Sequence, residues 1–329
     1  MIVRRAEQEL ALRRPGGGKR GMFMAEAKIS CVFIGTVTQD TLMLVEQPPV
    51  SDRRIAASKV VTASGGPAST AAAASTQLGG GPAALMAPVG MDETAEFIRK
   101  DMQKAGIAKI ELTPIAQAPS GFSFIQVEKD GKRCITHYGG CMAYYTPQML
   151  DLQTLQQAQI IHLAGMTGPQ TLEFVRFCRE NTKAKISVDG GNLDKASMDA
   201  MLPMTDIFIP DHKTVEKAYG MSPEEACAHF LSLGVSIACV TCGENGLTAR
   251  SAEGASVRLP SLEVPVVDTT GAGDNFHGAF LYAQYAGFDL EKALKFASAY
   301  ASLTCTEIGG RTANPSLVAT LQEMQRFAH

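Results

Sequence analysis

The sequence predicts an α/β fold, with a mostly parallel central sheet covered by helices on both faces and a small β-sheet lid. Three observations predict it. Short apolar runs of strand length alternate with longer helical stretches through most of the chain, as in successive βα units. Two segments interrupt that rhythm with looser alternation of apolar and polar residues, the mark of half-covered strands. With 329 residues, 45% of them apolar, the chain is long enough to bury one large domain and carry an appendage.

Residues 1–27 precede the pattern, with Arg4, Arg5, Arg13, Arg14, Lys19 and Arg20 around Gly16-Gly17-Gly18. This composition predicts disorder. The stretch reads either as a basic arm for a partner or as a remnant upstream of a natural start near Met22 or Met24. The globular domain is expected over 28–329. Its strands are predicted at Ile29–Ile34, Ala83–Val89, Ile160–Ala164, Ile186–Asp189, Asp206–Ile209 and Ile237–Cys242. Helices are predicted at Thr70–Leu78, Thr94–Lys104, Thr171–Asn181 and Pro223–Leu233, then Gly271–Ala286 and Glu291–Cys305. The interrupting segments are Asp40–Ala63, which contains Pro48-Pro49, and Ser120–Thr136, which reads as a hairpin turning at Asp130-Gly131. A lid formed by about 40–63 and 119–138 would cover the C-terminal edge of the main sheet, where open α/β sheets bind ligands.

A formal charge of −3 and a pI near 6.1 leave no basic footprint for nucleic acid or an anionic membrane. No apolar run approaches the ~20 residues that span a bilayer, and no signal-peptide core opens the chain. A cytoplasmic enzyme of small molecules is the expectation. Of the eight cysteines, Cys31, Cys178, Cys239 and Cys305 sit in apolar patterns, so no disulfides are expected. Cys239 and Cys242 have CxxC spacing but lie in a β-branched run without a second ligand pair, which reads as a buried strand entering a turn.

The most informative segment is Val267-Asp268-Thr269-Thr270-Gly271-Ala272-Gly273-Asp274-Asn275-Phe276. Its small residues allow close approach of a ligand to the backbone, and a helix is predicted to follow. The N–H groups and dipole of that helix start would attract an anion, and Asp274 sits on the same turn. Anion cradle and carboxylate together are the equipment of phosphoryl transfer. Asp268 through Phe276 resemble the C-terminal signature of the ribokinase-like carbohydrate kinases, the PfkB family. The resemblance implies a ribokinase-like three-layer α/β/α sandwich with a β-lid, and ATP-dependent phosphorylation of a sugar hydroxyl. Asp274 would be the base, with Gly271, Ala272 and Gly273 as the anion hole and Mg²⁺ bridging the phosphates.

Three further stretches extend the resemblance over roughly Ile29 to Pro315. Beyond the first strand, Gly35-Thr36-Val37-Thr38-Gln39-Asp40 places Asp40 where the family binds sugar hydroxyls. Gly65-Gly66-Pro67-Ala68-Ser69-Thr70 is similar to the N-terminal Gly-Gly signature, with Thr70 where members often carry Asn. Thr lacks the paired groups of an amide. Val240-Thr241-Cys242-Gly243-Glu244-Asn245-Gly246 is similar to the turn under the nucleotide, which puts Thr241, Gly243 and Gly246 beside ATP together with Ser298. Asp211 stands near the position of the family's Asn-x-x-Glu element, so Asp211 and Glu216 are candidates for water-mediated Mg²⁺ contact. The resemblance also implies a monovalent cation, K⁺, held by groups of Asp268, Thr270, Thr304 and Gly309.

Where ribokinase itself carries an acidic residue, this chain has His162-Leu163-Ala164-Gly165. Arg54 and Arg133 lie in the expected lid, and guanidinium groups pointing inward would suit an anionic substrate. His277 reads as a packed or nucleotide-edge residue, and Asp189 as a ligand-edge carboxylate or a cap. Two alternatives stay open. A nucleoside kinase of the same fold would use the lid aromatics Phe122, Phe124, Tyr138, Tyr144 and Tyr145 for its base, and a sugar-binding protein would have lost catalysis. Exposed lid edges suggest a homodimer.

Overall fold

A computed structural model describes residues 29–47, 49–129 and 131–328; the expected disorder of 1–27 concerns residues outside that set. The chain begins with β1 (Ile29–Gly35), buried along its whole length. Cys31 and Phe33 enter one apolar cluster while Val32 and Ile34 enter another. A continuous apolar strand buried on both sides is the signature of a parallel sheet between two helical layers.

The chain then forms β2 (Thr38–Val45), β3 (Ala57–Gly65), α1 (Pro67–Gln77), β4 (Ala83–Gly90), α2 (Glu93–Lys104) and β5 (Lys109–Ile115). β6 (Gly121–Glu128) and β7 (Arg133–Tyr138) come next, followed by α3 (Leu152–Gln157), β8 (Ala158–Ala164), α4 (Gly168–Asn181) and β9 (Lys185–Asp189). After α5 (Lys195–Met201) come β10 (Ile207–Ile209), α6 (His212–Tyr219), α7 (Pro223–Ser232), β11 (Ile237–Thr241), β12 (Leu247–Ser251) and β13 (Ser256–Leu259). The last third is helical, with α8 (Ala272–Tyr285), α9 (Leu290–Thr304) and α10 (Leu317–Met324).

The main sheet has the order β13-β12-β11-β10-β9-β8-β1-β4-β5 and is parallel from β11 to β5. From β1 the chain steps outward to β4 and β5, then returns to build β8 to β11 on the other side. Such a reversal opens a crevice at the carboxyl ends of the strands. On one face α1 and α8 approach closely because Gly278 has no side chain: a Cβ there would lie 2.3 Å from Ala71 O. β5, β12 and β13 lack clear sequence signals. In β5 only Leu112 and Ile115 are buried, since the strand lies at the sheet edge. α6 begins at the segment compared with the family's Asn-x-x-Glu element and is capped by Asp211.

The two interrupting segments form one four-stranded sheet, order β3-β2-β6-β7. Two antiparallel hairpins are joined by parallel pairing of β2 with β6. The second hairpin turns differently from the expected two-residue loop, whose Asp130 lies outside the described residues. Gly131 N–H donates to Glu128 O and Glu128 N–H to Lys132 O, with Gly131 at φ +79°. The connection is thus longer, with its glycine in the left-handed position that closes it. The inner face of this sheet, with Leu42, Ile125 and Val127, seats on Ile308 against Val61 and Val267. Its outer face exposes Val60, Phe122, Phe124 and Tyr138.

Candidate active site

The start of α8 is built around Gly271, which occupies the N-cap position at φ +71°, where L-residues are strained. Gly310 packs against it, and the Asn275 side chain donates to both Gly271 O and Gly310 O. Asp268, almost fully buried, accepts from Thr270 N at 2.8 Å and Thr270 Oγ1 at 2.7 Å through one oxygen, and from Gly309 N at 2.8 Å through the other. These bonds fix the turn. Ala272 N–H makes a long bond of 3.3 Å to Thr269 O, while Gly273 and Asp274 N–H have no protein acceptor among the described residues. Gly271 N–H likewise has no protein acceptor among the described residues, so the free donors at this helix start are those of Gly271, Gly273 and Asp274.

Asp274 reaches a narrow crevice of about 40 Å³ whose walls include Asp40, Gly65, Gly66, Thr70, Gly271 and Arg311. Asp40 enters from β2, where Thr38 Oγ1 donates to its Oδ1 at 2.7 Å. Its other oxygen lies over Gly65, where a Cβ would stand 1.9 Å from Oδ2. Gly65 is thus small for a steric reason: the Asp40 carboxylate fills the space of its side chain. Thr70 is buried on the first turn of α1, with its Cγ2 beside Gly271. Burial raises Asp40, although hydrogen bonds from Thr38 and Ser123 and the charge of His137 offset part of this.

Burial also pushes Asp274 up to about 7. The Asp189 charge adds to the rise and His277 opposes it, with lesser effects of Asp40, which raises, and Arg133, which lowers. A carboxyl with this affinity can take a proton at neutral pH. Arg133, at the start of β7, donates to Thr269 Oγ1 and so ties the lid to the anion turn.

The residues expected beside the nucleotide follow β10 and β11. Thr241 closes β11 and bridges to Asp211, and Thr241 N–H donates to Pro210 O at 3.0 Å. Gly243 at φ +56° has open space where a side chain would stand, which leaves its backbone accessible. Gly246 cannot be replaced, since its Cβ would meet Leu259 O at 1.9 Å. Ser298 is half-buried on α9. Asp211 spends both oxygens on α6, accepting from Lys213 N, Thr214 N and Thr214 Oγ1. A carboxylate so engaged fits outer contact with a hydrated Mg²⁺ through its remaining lone pairs, rather than direct ligation.

Three expected residues are placed differently. Arg54 is exposed on the connection between β2 and β3 and does not line the crevice, because that connection carries it away from the inward face. Glu216 is exposed on α6 and lines a separate groove of about 480 Å³ with His212, Glu224 and Cys242. Thr304 Oγ1 donates back to Ala301 O at 2.7 Å. Asp268 joins Thr270 and Gly309 through both of its oxygens, while Thr304 Oγ1 is engaged on its own helix. Sequence reasoning missed Arg311, which follows the Gly309-Gly310 pair. Its guanidinium binds Asp101 Oδ2 at 2.8 Å and Ser64 O at 3.0 Å, joining α2 and β3 to the anion turn. A lone arginine beside two glycines after the last core helix was the available signal.

Comparison with known proteins agrees with this geometry. The pfkB family carbohydrate kinase profile matches residues 28–317. A ribokinase of Staphylococcus aureus is 28% identical over 70% of this chain and 78% of its own. Among solved structures, a putative ribokinase from Agrobacterium tumefaciens superposes with a TM-score of 0.81 at 23% identity, covering 91% of this chain and 98% of the other. A putative ribokinase II from E. coli, solved in complex with ATP and Mg²⁺, gives 0.77 at 23% identity over 91% and 99% of the two chains. With nearly the whole described domain inside the match and the ribokinase fold in common, the chain belongs to the pfkB family of carbohydrate kinases.

Proposed function

We propose that this ATP-dependent carbohydrate kinase phosphorylates a hydroxyl of a sugar or sugar-derived acceptor, with Asp274 as the base. The observation that carries the reading is the convergence of the Asp274 carboxyl and the free Gly273 and Asp274 N–H groups on the crevice that Asp40 also enters. Asp40 accepts acceptor hydroxyls and turns the reacting one toward Asp274. The hydroxyl oxygen bonds to the γ-phosphorus as the bond to ADP breaks, and the proton passes to the Asp274 carboxylate. The Gly273 and Asp274 amides and the α8 dipole stabilise charge on the moving phosphoryl group. Mg²⁺, bound with ATP and in outer contact with Asp211, supplies neutralisation of phosphate charge. Closure of the lid, defined by β2, β3, β6 and β7, excludes water and limits ATP hydrolysis.

Arg133 beside the anion turn supports an acceptor with an anionic substituent, which Arg binds bidentately. Phe122, Phe124 and Tyr138 lie on the outer lid face, and Tyr145 is buried against Phe174. Among the described residues no aromatic ring lines the crevice to stack a base, which favours sugars over nucleosides. The oxygen groups of Asp268, Thr270, Thr304 and Gly309 remain the candidates to hold a monovalent cation; equal rates in K⁺-containing and K⁺-free buffer would count against it. The outer lid face supports a homodimer of lid against lid.

ADP release across neutral sugars, sugar acids, sugar phosphates and nucleosides tests the reading. Turnover with a sugar-type acceptor is expected, with Arg133→Ala raising KM about tenfold for the anionic acceptors alone. Sugar binding without ADP release from any acceptor would instead indicate a binding protein.

A further inference from the structure

One edge of a largely buried guanidinium beside the crevice is left unused. Arg311 follows the Gly309-Gly310 pair, and Gly310 packs so closely on the anion turn that a Cβ there would stand 2.9 Å from Thr270 O. From that root the side chain, 11% exposed, lines the crevice together with Asp274, Asp40 and Thr70. Its Nη1 donates to Ser64 O at 3.0 Å, to Ser64 Oγ and to Asp101 Oδ2 at 2.8 Å. Asp101 Oδ2 also accepts from Ser64 N at 3.2 Å and from Ser64 Oγ. Among the described residues Nη2 has no hydrogen-bond partner, and Nε is buried without one.

A clasp between the anion turn, β3 and α2 needs Nη1 alone. Burying a further guanidinium N–H without an acceptor costs free energy that such a clasp does not recover. A ligand admitted to the crevice can supply the missing acceptor. The Nε–Nη2 edge presents two parallel N–H groups in one plane, the fork that a carboxylate meets with both oxygens. A sugar hydroxyl would satisfy one of the two. The flat carboxylate also suits the narrow crevice, about 40 Å³, better than a tetrahedral phosphate or sulfonate. Asp101 holds the guanidinium in place, and Arg133 from the lid adds a second positive charge beside Thr269.

We propose that Arg311 determines acceptor specificity, and that the acceptor is a sugar acid whose carboxylate takes the Nε–Nη2 edge while its reacting hydroxyl lies at Asp274. The inference rests on the reading of this crevice as the acceptor site, and it narrows the substrate class of that site. The remaining hydroxyls fall to Asp40, which enters from the lid strand β2. Arg311 comes from the turn after α9, and its anchor Ser64 lies at the root of the lid strand β3. A sugar acid held by Asp40 and Arg311 therefore spans the lid and the anion turn.

Calorimetry without ATP, and ADP release with it, test this on acceptors matched carbon for carbon: gluconate against glucitol, glucuronate against glucose, and ribonate against ribitol. The parent protein is expected to prefer the acid of each pair it binds. Arg311→Lys keeps a cation opposite Asp101 but has no Nε–Nη2 edge. The preference for acids, read as a ratio of affinities or of kcat/KM, should fall about ten- to a hundredfold in that variant. An arginine with a structural role alone would affect acids and neutral sugars alike and leave the ratio in place. Binding of acids without turnover counts against the kinase reading alone, since the ratio of affinities still decides this proposal. Equal ratios in parent and variant, equal affinity for acids and neutral sugars in the parent, or no binding of any acid overturns it. So does a preference for glucose 6-phosphate over glucuronate. If Arg311→Lys does not fold, Arg311→Gln is read in its place; unfolding of both assigns the residue to structure and overturns the proposal.

Discussion

Asp274 is half-buried at a helix start with a second carboxylate nearby, and its affinity for a proton follows from that placement. With a folded value of about 7 against an ordinary carboxylate range near 4, the sign of its effects is fixed. Below about pH 4 it is protonated in both states, and its contribution is fully present. As pH rises through 7 the folded state must ionise a buried group, and that stability is lost. Asp274→Asn is accordingly expected to lower kcat about 100- to 10,000-fold while stabilising the protein at pH 8 by about 2 kcal/mol. Steady-state kinetics and thermal melts at pH 5 and pH 8 check both, and nucleotide affinity by calorimetry should be retained. A variant with near-normal turnover would remove Asp274 from the chemistry. The unvaried protein should lose kcat/KM as pH falls through 7.

At the scale of elements, two contacts without side chains hold the site together. The α1–α8 contact brings Thr70 beside Gly271, and Gly278→Ala would place a Cβ 2.3 Å from Ala71 O. The helices must then separate, at a cost of about 1–3 kcal/mol, which a denaturant midpoint will show. Gly65→Ala acts on β2 rather than on its own strand, since its Cβ would meet the Asp40 carboxylate at 1.9 Å. Displacement of Asp40 should raise the acceptor KM about tenfold, equivalent to the ~1.4 kcal/mol of one misplaced hydrogen bond, with KM for ATP unchanged. Equal KM changes for both substrates would contradict the assignment of Asp40 to the acceptor. The crevice of about 40 Å³ admits a few waters and not a sugar ring, so acceptor entry requires the lid sheet to lift from Val267 and Ile308.

For the molecule as a whole, the lid leaves an apolar outer face in which Val60 and Phe124 are 58% and 46% exposed. Contiguous apolar surface of this kind marks an interface. The proposed dimer through this face predicts twice the chain mass in light scattering, and Phe124→Glu should give monomers with the fold intact by circular dichroism. A parent protein that runs as a monomer at micromolar concentration would dispose of the lid dimer.

The sequence by itself determined the alternation of buried strands and helices, because apolar periodicity reports burial directly: β1, β4 and β8 coincide with their predicted runs. It also marked the Asp268–Phe276 turn, since a glycine before the helix permits the left-handed backbone that Gly271 adopts there. Edge strands such as β5, with polar residues facing water, give weak signals and went unread. Only tertiary structure decided which distant residues meet. Asp40 above Gly65, Arg311 between Asp101 and Ser64, and His277 between Asp189 and His162 each join segments far apart in the chain. Burial and neighbouring charge, which move the Asp274 proton affinity, are properties of that assembled neighbourhood and not of any residue alone.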